Sequence, residues 1–481
     1  MQEAPDDALD GASPSSWLDR LPSLWIGLAV VGIALAAYWL PGSTRFYNHF
    51  VWQALAFLDG RAAISWPVDA PGLAGNAYFQ DVLPVLGPNG EQTGYGLLPF
   101  PPLPAIVLLP FVAIWGLATD ERLVSVGLGA IAAGLAWWLL GRLAISRAIR
   151  LATTLFFALG TVFWYAAQLG TTWFLAHVVA VVCLLLAVGV ALAGDPHADD
   201  EVEDGPSLRR LASDVSRDAR RPLDLLDGRQ VLAGFLFGLA CTARLSIVFG
   251  APFFMFVGSG GSWVRRSVSA AIGAALPIGL LLAYNLATTG HVVHPAYDYL
   301  YHLEAAGYPG LHYNPAWSLE DLRYVPQNLR IMFLSTPALL PDVVPSSVSA
   351  GRALCADPGA VRGLFDLDCP LAMPRDVGMS LILTSPAYLL GLAAFVRGRT
   401  RLVIGATLAV VAIAFVNLMH FSQGWVQFGY RFSNDFVVFA LLLVAVGMAR
   451  RGGVGRFGLG LLAVSIVVNA WGVIWGNLQG W

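Results

Sequence analysis

Long apolar runs separated by short polar breaks occupy most of this chain. They cover residues 22–40, 101–118, 122–140, 151–166, 172–193, 231–257, 267–285, 377–396, 401–419, 435–449 and 456–475. A helix rises about 1.5 Å per residue, so about 20 apolar residues cross roughly 30 Å of hydrocarbon. Strands of a membrane barrel would instead alternate over about 10 residues. The pattern predicts an all-α polytopic membrane protein. Two runs are irregular: Pro102, Pro104 and Pro110 break 101–118, and 231–257 is interrupted near Gly238 and Arg244.

Basic residues resolve the irregular runs, because cytoplasmic loops collect Lys and Arg near span ends. All 28 basic residues are arginines, as a GC-rich genome would favour. Suppose 101–118 dips into the outer leaflet without crossing, and 231–257 is a pair of short helices. The clusters around Arg147, Arg220, Arg265, Arg399 and Arg450 then fall inside with Arg20. About 11 transmembrane helices result, with a cytoplasmic N-terminus and an extracytoplasmic C-terminus.

This topology divides the chain into an acidic cytoplasmic tail (1–21), a transmembrane module (22–285) containing the outer loop 41–121, an extracytoplasmic loop domain (286–376) and C-terminal helices (377–481). Juxtamembrane helices are expected in both large outer loops. The acidic start lacks the basic segment of a secretory signal, so the first span reads as an uncleaved anchor. Residues 195–230 form a charged inner linker. No internal repeat is evident, unlike the inverted-repeat transporters.

Composition agrees with this reading. The chain has 481 residues, of which 57% are hydrophobic and 12% charged, against about 25% charged in soluble domains; mean hydropathy is +0.65. A net charge of −3 argues against a nucleic-acid partner. No Cys/His spacing suggests zinc. Cys183 and Cys241 lie in apolar runs and read as packing. Cys355 and Cys369 share one polar loop, where pairing and two free thiols both remain open.

The candidate chemistry lies outside. All the histidines except His197 fall on or near the outer face: His49, His177, His291, His294, His302, His312 and His420. Either the large polar loops simply lie there, or they line a polar cavity. The loop 41–121 carries Asp59, Asp69, Asp81 and Glu91 before the segment PFPPLP, which suggests a site built at a membrane surface. Arg244 is the one charge well inside an apolar run. Such a residue needs a cavity or a partner; an arginine beneath an outer cavity suits a phosphate, and one at the interface can equally snorkel to the polar surface. Arg431, in HFSQGWVQFGYRFSND with Asp435, is a possible second phosphate contact.

Several segments together resemble the GT-C superfamily of membrane glycosyltransferases, closest to the branch of protein O-mannosyltransferases and lipid A aminoarabinose transferases. They are FYNHFVWQALAFLDGR, NAYFQDVLPV with YGLLPFPPLPAIVLLP, WYAAQLGTTWFLAHVV, GLACTARLSIVFGAP with LLLAYNLATTGHVVHPAY, and QFGYRFSND. The resemblance implies an inverting transfer from a polyprenyl-phosphate sugar to a protein, glycan or lipid acceptor. It also implies an extracytoplasmic active site on a bacterial inner (cytoplasmic) membrane. No cofactor is expected; a divalent cation is compatible with such chemistry but is not predicted. The family often places an Asp-Glu pair just after span one, whereas this chain reads Arg45, Phe46, Tyr47, Asn48, His49.

The base must therefore come from elsewhere. A positioned carboxylate can take the acceptor's proton as the new bond forms. Asp81 is the first candidate, because its segment matches the family's acid. Asp59 is the second, although LDGR also reads as a helix stop with Gly60 as its C-terminal cap. Arg244 and Arg431, with His177 and Tyr430 as weaker candidates, are expected to hold the donor phosphate. A transporter or flippase of a lipid-linked substrate, and a non-catalytic transferase-like scaffold, are the alternatives.

Overall fold

The computed structural model describes residues 17–40, 47–65, 81–199, 226–303, 311–345, 351–357, 359–396, 398–424 and 426–481. The expected features at Arg45, Phe46 and Asp69, and most of the linker 195–230, lie outside these residues. In chain order the main helices are α1 (Ser23–Trp39), α2 (His49–Leu58), α3 (Leu103–Trp115), α4 (Glu121–Leu140), α5 (Arg147–Leu159), α6 (Phe163–Leu169) and α7 (Thr172–Ala193). They continue with α8 (Gly228–Cys241), α9 (Pro252–Phe256), α10 (Trp263–Thr289), α11 (Ala296–Leu303), α12 (Val325–Leu334), α13 (Arg401–Met419), α14 (Val437–Arg450) and α15 (Gly455–Leu478).

Among the described residues, five helices are long and apolar enough to cross a membrane: α4, α7, α10, α13 and α15. The bent pair α5–α6, angled by 50°, makes a sixth if it is one span. Other apolar runs fold as shorter helices. One example is 377–396, which becomes Leu381–Thr384 followed by a 3₁₀ helix, Pro386–Phe395. The bundle turns apolar side chains outward: Leu276, Leu280, Val411, Phe457 and Val467 are exposed, as a hydrocarbon surround requires.

The bundle has two chemically distinct ends. At one, α5, α8, α10 and α13 begin with side-chain caps from Ser146, Asp227, Ser262 and Thr400, which satisfy otherwise orphaned backbone N–H groups. Arginines tie the neighbouring helix ends together there. Arg147 donates to the carbonyls of Leu18 and Leu21, Arg229 to Ala193 and Arg450 to Ala394, while Arg401 pairs with Asp195 at 2.8 Å. At the other end Arg122 reaches the carbonyls of Trp39 and Gln168, joining the close of α1, the start of α4 and the close of α6.

The two irregular runs are explained at this second end. Residues 228–257 form a hairpin, since Gln230 near its start donates to the carbonyls of Phe254 and Val257 near its finish. Arg244 sits at the turn. Helix α3 starts beside that turn, where Leu103 N donates to Thr242 O at 3.3 Å. The chain leaves α3 for Asp120, which caps α4 at the same end. Both ends of α3 therefore stand at one end of the bundle. Close approach of α8 and α10 requires glycine: a Cβ on Gly234 would lie 2.1 Å from the Ala270 carbonyl oxygen.

The all-α expectation needs a correction. The loop after α2 folds as a three-stranded antiparallel sheet of β1 (Ile64–Ser65), β2 (Leu83–Leu86) and β3 (Gln92–Leu97), ordered β1-β3-β2. Its β2–β3 turn contains Pro88, Asn89 and Gly90, with Gly90 at φ 83°. Residues 338–339 and 372–373 form a second small pair. Cys355 and Cys369, left open by the sequence, are disulfide-bonded. Around them Val344, Leu354 and Met373 pack on Trp475 of α15.

Candidate active site

The site is organised by the first turns of α7. Trp173 and His177 are four residues apart, so their side chains share one helix face about 6 Å apart. Trp173 donates its indole N–H to Asp81 Oδ2 at 2.8 Å. His177 Nδ1 lies 2.9 Å from Asp435 Oδ1. Two acids remote in sequence thus hang from successive turns of one helix.

Asp81 occupies the left-handed backbone region, with φ 50°. Aspartate tolerates that region better than most residues, at some cost. The turn delivers the carboxylate to α7 immediately before β2 begins. Burial raises its pKa above the ordinary value, opposed by the Trp173 hydrogen bond and the nearby Arg431 charge. Aromatic rings surround its donor. The Trp173 ring packs against Tyr47, His49 and Phe100 at centroid distances of 5.1, 5.7 and 6.5 Å. Tyr47 and His49, which lead into α2, therefore stand beside the donor that holds this acid.

Arg431 lies over the rings of Phe174 and Phe432, 5.6 and 5.4 Å from their centroids, and within electrostatic reach of Asp81 and His177. Gly424, at φ 96°, makes room for it: a Cβ there would lie 2.6 Å from Arg431 Nε. Only glycine suits both the backbone conformation and the space.

Asp435 has a different environment. Its side chain is fully buried, and Arg244 grips it with Nε on Oδ1 and Nη2 on Oδ2, both at 3.1 Å. Ser246 donates to Oδ2 at 2.7 Å and Asn417 Nδ2 to the same oxygen at 3.1 Å. The acid joins the hairpin turn, α7, α13 and the late loop in one knot.

Tyr297 of α11 lies within electrostatic reach of Arg244, Glu320 and Asp81. The two acid neighbourhoods, Arg431, His177 and the fully buried Tyr430 are thus gathered at one end of the bundle. Asp59 is not among them. It forms the C-cap of α2, with Gly60 following at φ 70°, and pairs with Arg61 at 2.7 Å. Helical rise puts it about 15 Å from His49, at the far end of α2. Sequence reasoning missed the roles of Trp173, Asn417, Ser246 and Asp435. The signal for Asp435 was present: an arginine inside an apolar run demands a counterion, and Asp435 opens another apolar run just after Arg431.

Among the described residues no group of three His, Cys, Asp or Glu side chains is placed to hold a metal ion. A cavity of about 290 Å³ opens at the arginine-rich end, lined by Asp195, Arg266 and Arg401 among others. It contains none of the predicted site residues.

No protein-family model and no curated protein matches this chain. Among solved structures it is similar to the Archaeoglobus fulgidus oligosaccharyltransferase in its apo form, at 12% identity and a TM-score of 0.44. That similarity covers 96% of this chain and 56% of the archaeal one, so the chain spans little more than half the length of the protein it matches.

Proposed function

We propose that this chain is an inverting glycosyltransferase of the GT-C type, moving a sugar from a polyprenyl-phosphate donor to an acceptor hydroxyl. The reading is carried by one observation: the Asp81 carboxylate, presented on a left-handed turn, takes the indole N–H of Trp173 within a cluster of aromatic rings and in electrostatic reach of Arg431. The motif resemblance supports it. The acid that the family places just after span one is replaced, in the same neighbourhood, by Asp81.

In this scheme the acceptor hydroxyl gives its proton to the Asp81 carboxylate as its oxygen bonds to the anomeric carbon. The bond from that carbon to the phosphate oxygen breaks, and polyprenyl phosphate leaves with the electron pair. A base with a pKa nearer neutrality takes the proton more effectively. Arg431 meets the charge that grows on the phosphate. The Trp173 and Tyr47 rings offer apolar surface to a sugar face. The site end is extracytoplasmic, because the opposite end collects the arginines. Helix α3, with both ends at the site end, borders a lateral opening for the lipid tail in the outer leaflet.

The test is to reconstitute the protein in liposomes and offer mannosyl, glucosyl, arabinofuranosyl and aminoarabinosyl polyprenyl phosphates. Turnover-dependent release of polyprenyl phosphate from one of them is expected. Neither binding nor release with any of them, or lipid flipping without release, would overturn the reading.

A further inference from the structure

Arg244 and Arg431 both stand at the site, but they face different partners. Arg244 commits Nε and Nη2 to the two oxygens of one carboxylate in the planar fork that guanidinium and carboxylate favour. That carboxylate is fully buried, whereas Arg244 retains 23% side-chain exposure. The charges cancel inside the protein. Ser246 and Asn417 add donors to the same acid, and His177 Nδ1 closes the set. Arg431 and Asp435 are the first and last residues of a single 3₁₀ helix, Arg431–Asp435. Anchoring Asp435 therefore fixes where that helix, and with it Arg431, stands relative to Asp81.

We infer that Asp435 is the positioning residue of this site: it holds Arg244 as an internal counterion, braces the hairpin turn against the late outer loop, and thereby sets Arg431 on the reactive side. Arg244 then supports the phosphate site without contacting the phosphate. This assignment rests on the donor proposed above and divides labour between two arginines that the sequence treats alike. The pair has a further signature. Removing one partner leaves a buried or half-buried charge alone, whereas removing both removes the conflict. The two single effects should therefore not add.

The experiment compares binding of undecaprenyl phosphate with binding of undecaprenol, lacking the phosphate, to the full-length protein in detergent. The ratio of the two affinities is internal to each variant, so a partly destabilised protein still reports it. Wild type should prefer the phosphate by at least tenfold. Arg431→Gln should bring the ratio close to one, and Arg431→Lys should restore most of it. The double variant Arg244→Gln/Asp435→Asn, whose amides can still hydrogen-bond across the pair and keep the brace, should hold the ratio within about threefold of wild type while melting above either single variant, whereas Asp435→Ala, which removes the brace, should bring the ratio close to one. A ratio lost in the double variant, or retained in Arg431→Gln or in Asp435→Ala, would overturn the assignment while leaving the donor reading intact. No phosphate preference in wild type would instead overturn the donor reading and this assignment with it.

Discussion

Asp81 and Asp435 hang from successive turns of the same helix, and they differ in how fully they are served. Asp435 takes hydrogen bonds from Arg244, Ser246 and Asn417, with His177 against it. Among the described residues Asp81 takes one, from the Trp173 indole, and has Arg431 nearby as its compensating charge. A carboxylate surrounded by donors is stabilised as an anion and has little tendency to accept a proton. A desolvated carboxylate with one neutral donor is left basic. The same side chain becomes a fastener in one place and a candidate base in the other, and the difference lies in the neighbours.

Exchanging each acid for its neutral isostere separates the roles. Asp81→Asn should lower transfer by about 10²- to 10⁴-fold with unchanged thermal unfolding, whereas Asp59→Asn, out at the cap of α2, should leave transfer as it was. Equal losses in the two variants would erase the distinction drawn between these loop acids. Asp435→Ala should act on stability as well as on the placement of Arg431. It strands Arg244 and should cost about 3 kcal/mol, the low end for a buried pair because Arg244 keeps 23% exposure. Thermal unfolding in detergent reads this directly, and an unshifted transition would mean that the knot does not hold the bundle together.

Much of the framework was readable from the sequence because apolar runs and arginine placement are strong, local signals. The break at Arg244 and the irregularity of 101–118 were visible in Gly238, Arg244 and three prolines. Helix lengths were not, since an apolar run such as 377–396 has the composition of a span and folds as two short pieces. The small sheet was missed because β1 and β3 pair across a long connection, Ile64 opposite Gly96, and β1 is only two residues long. Asp81 was legible as an acid in the right loop. Its indole donor was not, because Trp173 sits 92 positions away in what reads as an ordinary span. Asp435 was overlooked for a related reason: it stands at the edge of an apolar run, and only the fold reveals that its partner is the lone arginine of another.

The most direct measurement is the acid limb of the pH–rate profile for transfer, because it reports the protonation state of the base itself. A carboxylate pKa raised by burial should place that limb above the ordinary aspartate value of about 4. The Trp173 hydrogen bond favours the anion, so Trp173→Phe should move the limb to still higher pH. A limb at the ordinary value that Trp173→Phe leaves in place would contradict Asp81 as the group that takes the proton.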